Sequence, residues 1–348
     1  MLVRRAGRLF VDPAAELITG DSVTARAAPP LLALLTLLAA CSGPEAPAPT
    51  APAAAPTAPA PPPPPPQAVP REAQARSLAP DGTPIHYRVY GQGEPAIVFI
   101  HGWSCDSGYW DPQLNDFAAR HTVVTLDLAG HGRSGESGRK DWSMASFGAD
   151  VAAVIRDAGL GRVVLVGSSM GGTVALEAAR RLPGQVVGIV GVDTFRDLAA
   201  PYSKELTEPL IAGLRADFPK TVSEFVGGNF FTSQSDPIVK KWIVEDMAAA
   251  PPGVAIPAME ALLAMDYGPL LAELDLPVIA VNAAGSPTDE AAIRRLEPRF
   301  RVVTLQGVGH FPMLEQPELF NRVLERIVTE WTRLESERNR LSVDTPAG

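Results

Sequence analysis

Cysteine is nearly missing from this chain: 348 residues carry two, Cys41 and Cys105. Two cannot make the framework of a disulfide-stapled domain, and no Cys/His group has metal-ligand spacing, so neither that scaffold nor such a metal site is expected. Basic clusters with interleaved aromatics are also missing, and the formal charge is −9, which argues against a nucleic-acid partner. No glycine-rich loop leads into a lysine, so no phosphate cradle of that kind is present. There is no internal repeat. The one conspicuous apolar run, Leu31–Ala40, is too short for a comfortable membrane span.

Proline and alanine, by contrast, are plentiful. Residues 44–70 consist almost entirely of the two, with Pro61–Pro66 unbroken. Such a segment cannot bury a core and reads as an extended, semi-rigid tether. The apolar run before it follows Arg26 and ends in small residues, the pattern of a secretory signal. Leu38-Ala39-Ala40-Cys41 resembles a bacterial lipobox, which implies a lipidated Cys41 at a new N-terminus; a plain signal peptide or short anchor is the alternative. Residues 1–22 do not look like the start of a signal, and Val23 is a plausible initiator. The expected organisation is a signal region over 1–41, a tether over 42–76, one α/β domain over 77–335 with an insertion over about 194–276, and a disordered tail over 336–348. The expected location is the cell envelope, lipid-anchored at the periplasmic or outer face. With Cys41 lipidated, Cys105 has no intramolecular partner, and no disulfide is expected.

The most informative stretch is Val166-Gly167-Ser168-Ser169-Met170-Gly171-Gly172. It contains Gly-x-Ser-x-Gly between an apolar run, Arg162–Val166, that reads as a buried strand and an Ala/Leu-rich run, Thr173–Leu182, that reads as a helix. Strand, sharp turn and helix make this a nucleophile elbow centred on Ser169. A Cβ at Gly167 or Gly171 would meet the opposing backbone. Around it, strands are expected at Ile85–Tyr90 (an edge), Ala96–Ile100, Thr122–Leu126, Val186–Val192, Pro277–Asn282 and Phe300–Leu305, and helices at Phe147–Ala158 and Phe320–Trp331. The alternation implies a mostly parallel sheet with helices on both faces, whose site lies beyond the carboxyl ends of the strands.

His101-Gly102-Trp103, the Asp127–Ser134 run Asp-x-x-Gly-His-Gly-x-Ser, the Ser169 elbow and Gly307-Val308-Gly309-His310-Phe311-Pro312 occur in this order. Together they resemble the α/β-hydrolase superfamily in its small serine esterase branch, over most of residues 78–332. The resemblance implies an α/β-hydrolase fold with a helical cap and a serine nucleophile, Ser169. It implies a base at His310, in the loop after the last strand, and an oxyanion hole from the backbone N–H groups of Met170 and Trp103. His101 and His131 belong to turn motifs, and His86 and His121 receive no role.

The acid departs from the common pattern. The loop after the penultimate strand, Asn282–Asp289, carries Ser286 at the usual acid position, and Asp289 comes about three residues late. Asp193, after the strand that follows the elbow helix, is the favoured acid; Asp289, or no functional acid, remains open. The residues between, Thr194–Leu276, carry Tyr202, Phe218, Phe225, Phe230, Phe231, Trp242 and Tyr267, some for the insertion's own core and a few for an apolar acyl pocket. Gly227-Gly228 reads as a hinge or a turn. The function implied is hydrolysis of a small-molecule carboxylic ester through an acyl-enzyme, with no cofactor and no metal. Acyl transfer, lactone or C–C bond hydrolysis on the same residues, and a low-turnover ligand-binding lipoprotein, are the alternatives.

Overall fold

The computed structural model describes residues 73–135, 138–197 and 201–343. The signal region, Cys41 and residues 42–72 of the expected tether lie outside the described residues. Among those described, eight strands form one sheet: β1 (Ala73–Leu78), β2 (Pro84–Tyr90), β3 (Ala96–Ile100), β4 (Val123–Leu126), β5 (Val163–Ser168), β6 (Val186–Val192), β7 (Val278–Ala283) and β8 (Arg301–Leu305). Their spatial order is β1-β2-β4-β3-β5-β6-β7-β8. Only the β1–β2 and β2–β4 pairings are antiparallel. Every residue of β3, β4, β5, β6 and β7 is buried, as their near-continuous apolar sequences require of strands covered on both faces.

The flanking helices are α1 (Asp111–Ala118), α2 (Met144–Asp157) and α3 (Met170–Arg180). Between β6 and β7 come α4 (Lys204–Ala216), α5 (Phe218–Asn229), α6 (Pro237–Ala248), α7 (Pro252–Leu263) and α8 (Gly268–Glu273). After β7 come α9 (Glu290–Ile293), α10 (Pro312–Glu315) and α11 (Pro317–Val343). α2 packs on α3, and α1 packs on α11. The crossover β3–α1–β4 heads toward one edge of the sheet and β5–α3–β6 toward the other. Right-handed crossovers running in opposite directions place their helices on opposite faces. The reversal lies between β3 and β5, the point where ligands enter such sheets.

Three expectations need correction. The strand ending at Tyr90 is not an edge: β1 covers it, with Arg76 opposite His86. That places residues 73–76 in the sheet rather than in the tether. β1 has the sequence AQARSL, which lacks β-branched and aromatic residues, so only its pairing with β2 makes it a strand. At the other end, α11 runs to Val343 instead of giving way to a tail at 336. Its last turns carry an Arg333–Glu337 pair at i, i+4 spacing and an Arg340 Nε donor to the Ser336 carbonyl, contacts that support helix on a polar surface. Gly227-Gly228 forms neither hinge nor turn but the last turn of α5.

Candidate active site

The elbow is built by close backbone approach. A Cβ at Gly167 would lie 2.1 Å from the Gly171 carbonyl oxygen, and one at Gly171 would lie 2.4 Å from that of Ile100. Without side chains there, the first turn of α3 folds down on β5 and β3. Ser169 is left at φ 51°, ψ −117°, a conformation that non-glycine residues rarely adopt and that persists only where the surroundings enforce it. Its own N–H is held by the Val192 carbonyl of β6 at 2.9 Å. Met170 follows as the first residue of α3. Its N–H has no carbonyl one turn behind it within the helix, and the helix dipole adds positive potential there.

The first loop meets the elbow from β3. A Cβ on Gly102 would sit 3.4 Å from the Ser169 Cβ, so the chain reaches Trp103 beside the nucleophile position. The Trp103 side chain does not swing freely: Nε1 donates to the Ala255 carbonyl of α7 at 2.7 Å, and the ring lies 6.1 Å from Phe218. Cys105 is buried and donates to the Trp103 carbonyl at 3.3 Å. Burial pushes its thiol well above the usual range, so it packs rather than reacts.

His101 and His131 are struts. His101 Nε2 accepts from the Leu128 N–H at 2.9 Å, which puts the ring proton on Nδ1, where it donates to Gly102 O at 2.8 Å. Complete burial pushes its pKa down. His131 donates through Nδ1 to Ala129 O; burial first, then the neighbouring His101, brings it down to about 3. Asp127 explains the rest of that motif. Its carboxylate accepts from the N–H groups of Ser107 and Arg133, each at 2.9 Å. A Cβ on Gly132 would strike it at 2.7 Å. His86 lies 3.6 Å from the same carboxylate, and His121 donates to Pro95 O at 2.9 Å. None of these four imidazoles pairs with the carboxylate at 193.

His310 does. Its Nδ1 lies 2.5 Å from Asp193 Oδ2. The register explains the reach: Ser168 is aligned with Val192 across the β5–β6 pair, and Val192 with Val281 across β6–β7, so Ser169 and Asp193 leave neighbouring strands side by side. Asp193 is itself at φ 50°, and Phe195 at φ 53°. That loop curls tightly because Gly191 and Gly172 leave room: a Cβ on either would come within 2.7 Å of Thr194 or Phe195 side-chain atoms. Burial works against the Asp193 anion, but the hydrogen bond and charge of His310 and the charge of Arg196 outweigh it and hold its pKa at about 2.

Asp289, the alternative acid, caps α9 by accepting from the Ala292 N–H at 2.8 Å. Asn282, at the end of β7, staples the two loops instead. Its side chain accepts from Thr194 N–H at 3.1 Å and donates to the Thr194 carbonyl at 3.0 Å and to Thr288 Oγ1 at 2.8 Å.

Four residues around His310 were not anticipated as site residues. Glu315 of α10 accepts from the N–H groups on either side of it, Gly309 at 2.9 Å and Phe311 at 3.3 Å, and from Ser235 Oγ of the insertion at 2.5 Å. Phe230, noted before only as an aromatic of the insertion, takes the His310 N–H on its carbonyl at 2.7 Å, and the two rings lie 4.2 Å apart. Arg196 contacts Asp193. Their signals in sequence are slight: a glutamate five residues after the base and an arginine three after the acid. Of the insertion's aromatics, Phe218 packs on Trp103, Phe230 on His310, Phe231 on Phe311 and Tyr267 on Phe195, whereas Tyr202 and Trp242 are 39% and 43% exposed.

A largely parallel sheet with a serine elbow at its switch point and a histidine–aspartate pair supplied by the loops after later strands is the architecture of the α/β-hydrolase enzymes. The chain belongs to that family: the model of the alpha/beta hydrolase family matches residues 97–323. Over 253 residues it is 28% identical to the pimeloyl-[acyl-carrier protein] methyl ester esterase of Aeromonas hydrophila subsp. hydrophila, a match covering 69% of this chain and 97% of that protein. The esterase EaEST from Exiguobacterium antarcticum has the same fold, with a TM-score of 0.67 and 22% identity over 74% of this chain and 100% of its own. A thermophilic esterase from Thermogutta terrifontis gives a TM-score of 0.64 and 25% identity over 75% of this chain and 99% of its own.

Proposed function

We propose that the protein is a serine hydrolase of carboxylic esters, working through an acyl-enzyme on Ser169, His310 and Asp193. The observation that carries this reading is the backbone of Ser169, φ 51°, ψ −117° at the head of α3, a strained conformation that presents a hydroxyl rather than burying it. The Asp193–His310 pair supports it, as does the similarity to esterases, one of which acts on a methyl ester.

Ser169 Oγ attacks the ester carbonyl while His310 takes its proton through Nε2, the nitrogen that Asp193 does not engage. Asp193 holds the tautomer with the other proton on Nδ1 and stabilises the imidazolium. The backbone N–H groups of Met170 and Trp103 stabilise the tetrahedral oxyanion. His310 returns the proton to the leaving alcohol, then activates the water that frees the acid. The helical insertion acts as a cap, with Phe218 and Phe230 on its inner side giving an apolar surface to the acyl group.

The test is hydrolysis of p-nitrophenyl esters of increasing acyl length by the full chain and by Ser169→Ala. Serine-dependent turnover supports the reading, and the chain-length optimum sizes the pocket. Turnover that survives in Ser169→Ala overturns it, and none in either protein favours a low-turnover binding role. We further propose that Cys41 carries a lipid anchor in the cell envelope; metabolic labelling with a fatty acid, lost in Cys41→Ala, tests this separately.

A further inference from the structure

Arg196 lies three residues after Asp193 and binds the oxygen that His310 does not use. Its Nη2 donates to Asp193 Oδ1, which also accepts from the Ala283 N–H at 2.8 Å. Its Nη1 donates to the carbonyl of Ser286 and reaches that of Ala283 at 3.5 Å. The Arg196 carbonyl in turn accepts from the Asp289 N–H at 2.7 Å. The guanidinium therefore bridges the loop after β6 and the loop after β7, with the acid between them. The Asp193 side chain is 3% exposed and that of Arg196 22%, so the cation reaches solvent on one side and the buried carboxylate on the other.

We propose that Arg196 is a positioning residue for the Asp193–His310 pair: it fixes the plane of the carboxylate so that Oδ2 faces His310, and by sharing the anion it sets the pH at which the base becomes active. The proposal rests on the triad reading above. A planar, permanently charged fork can do both, and a lysine ammonium only the second. Other charged groups surround the pair. Glu315 lies behind the His310 loop, and Asp197 and Asp289 lie on the segments flanking Arg196. All three are retained in the variants below.

The sign follows from charge. A fixed cation on Asp193 disfavours a second positive charge on the imidazole beside it. Removing that cation leaves the whole anion to the imidazolium, so the base holds its proton to higher pH and the acid limb of the rate profile moves up. A side chain that merely braces the loop would lower the rate at every pH and leave the limb where it was.

The experiment is kcat and KM against pH for the full chain, Arg196→Met, Arg196→Gln and Arg196→Lys on a p-nitrophenyl ester, with thermal melts and Ser169→Ala alongside. The neutral variants are expected to move the acid limb upward by about half a pH unit or more. They should also lose roughly tenfold in kcat, with KM little changed. Arg196→Lys is expected to keep the native limb while losing part of kcat. An unmoved limb in whichever neutral variant folds overturns the inference, as does an equal shift in Arg196→Lys. Loss of turnover in Ser169→Ala with an unmoved Arg196 limb defeats this inference alone; turnover in Ser169→Ala defeats the triad reading beneath it.

Discussion

His310 Nδ1 stands 2.5 Å from Asp193 Oδ2, while Asp289, the other acid near the end of β7, caps α9. The two carboxylates therefore have separable mutational signatures. Asp193→Asn is expected to lower kcat by roughly 10⁴-fold with the fold intact, because an amide N–H beside Nδ1 favours the wrong tautomer. Asp289→Ala is expected to cost about 1 kcal/mol of stability through the lost cap and to leave kcat within a few-fold. Steady-state kinetics and urea unfolding of the two variants decide between these assignments.

The elbow glycine makes a sharper stability prediction. A Cβ at Gly167 would sit 2.1 Å from a backbone oxygen, a clash that no side-chain rotation relieves. Gly167→Ala is expected to destabilise by about 4 kcal/mol or more, or to abolish folding. Gly228→Ala, where a Cβ meets nothing within 4 Å, is expected to be neutral or slightly stabilising because the position is helical. Thermal melts of both give the contrast.

Glu315 joins the base loop to the insertion through Gly309, Phe311 and Ser235. Glu315→Ala leaves two loop N–H groups without their acceptor and is expected to cost about 1–3 kcal/mol and to lower kcat roughly tenfold or more as His310 loses its setting. Ser235→Ala removes the link to the insertion, together with the acceptor of the Thr232 N–H inside it, while leaving the Gly309 and Phe311 contacts of Glu315 in place, and is expected to change KM more than kcat. If the two variants behave alike in kcat, Glu315 acts on the insertion and not on the loop.

Acid stability follows from the same carboxylate. Asp193 is held at about 2, below its ordinary 3.8. A group whose folded pKa is depressed stabilises the fold above its unfolded pKa, and that contribution is lost as pH falls through the folded value. The stability difference between the native protein and Asp193→Asn is therefore expected to shrink by about 2 kcal/mol as pH falls from about 4.5 toward 2. Urea unfolding at a series of pH values measures it.

Much of this arrangement was legible along the chain. Ser169 was marked by the two glycines and the change from strand to helix pattern around it, since that turn is local and its steric demand falls on nearby residues. The buried strands from Ala96–Ile100 to Val278–Ala283 announced themselves because coverage on both faces leaves little place for polar side chains. β1 was invisible because its strand character comes from its partner β2, and the last turns of α11 because their polar surface pairs look the same in a tail.

Sequence by itself determined the class of fold, the order of the loops and the elbow, because these depend on hydrophobic period and on backbone clashes within a few residues. Which acid meets His310 was decided only in three dimensions. Asp193 and His310 are 117 residues apart in the chain, and no local pattern records that β5, β6 and β7 align so that Asp193 emerges beside Ser169 while Asp289 is drawn off to start a helix. The guanidinium of Arg196 on the carboxylate, the Glu315 clasp and the Phe230 ring over the base belong to the same category. Each joins segments whose proximity follows from sheet order, and a single chain read residue by residue carries no measure of that proximity.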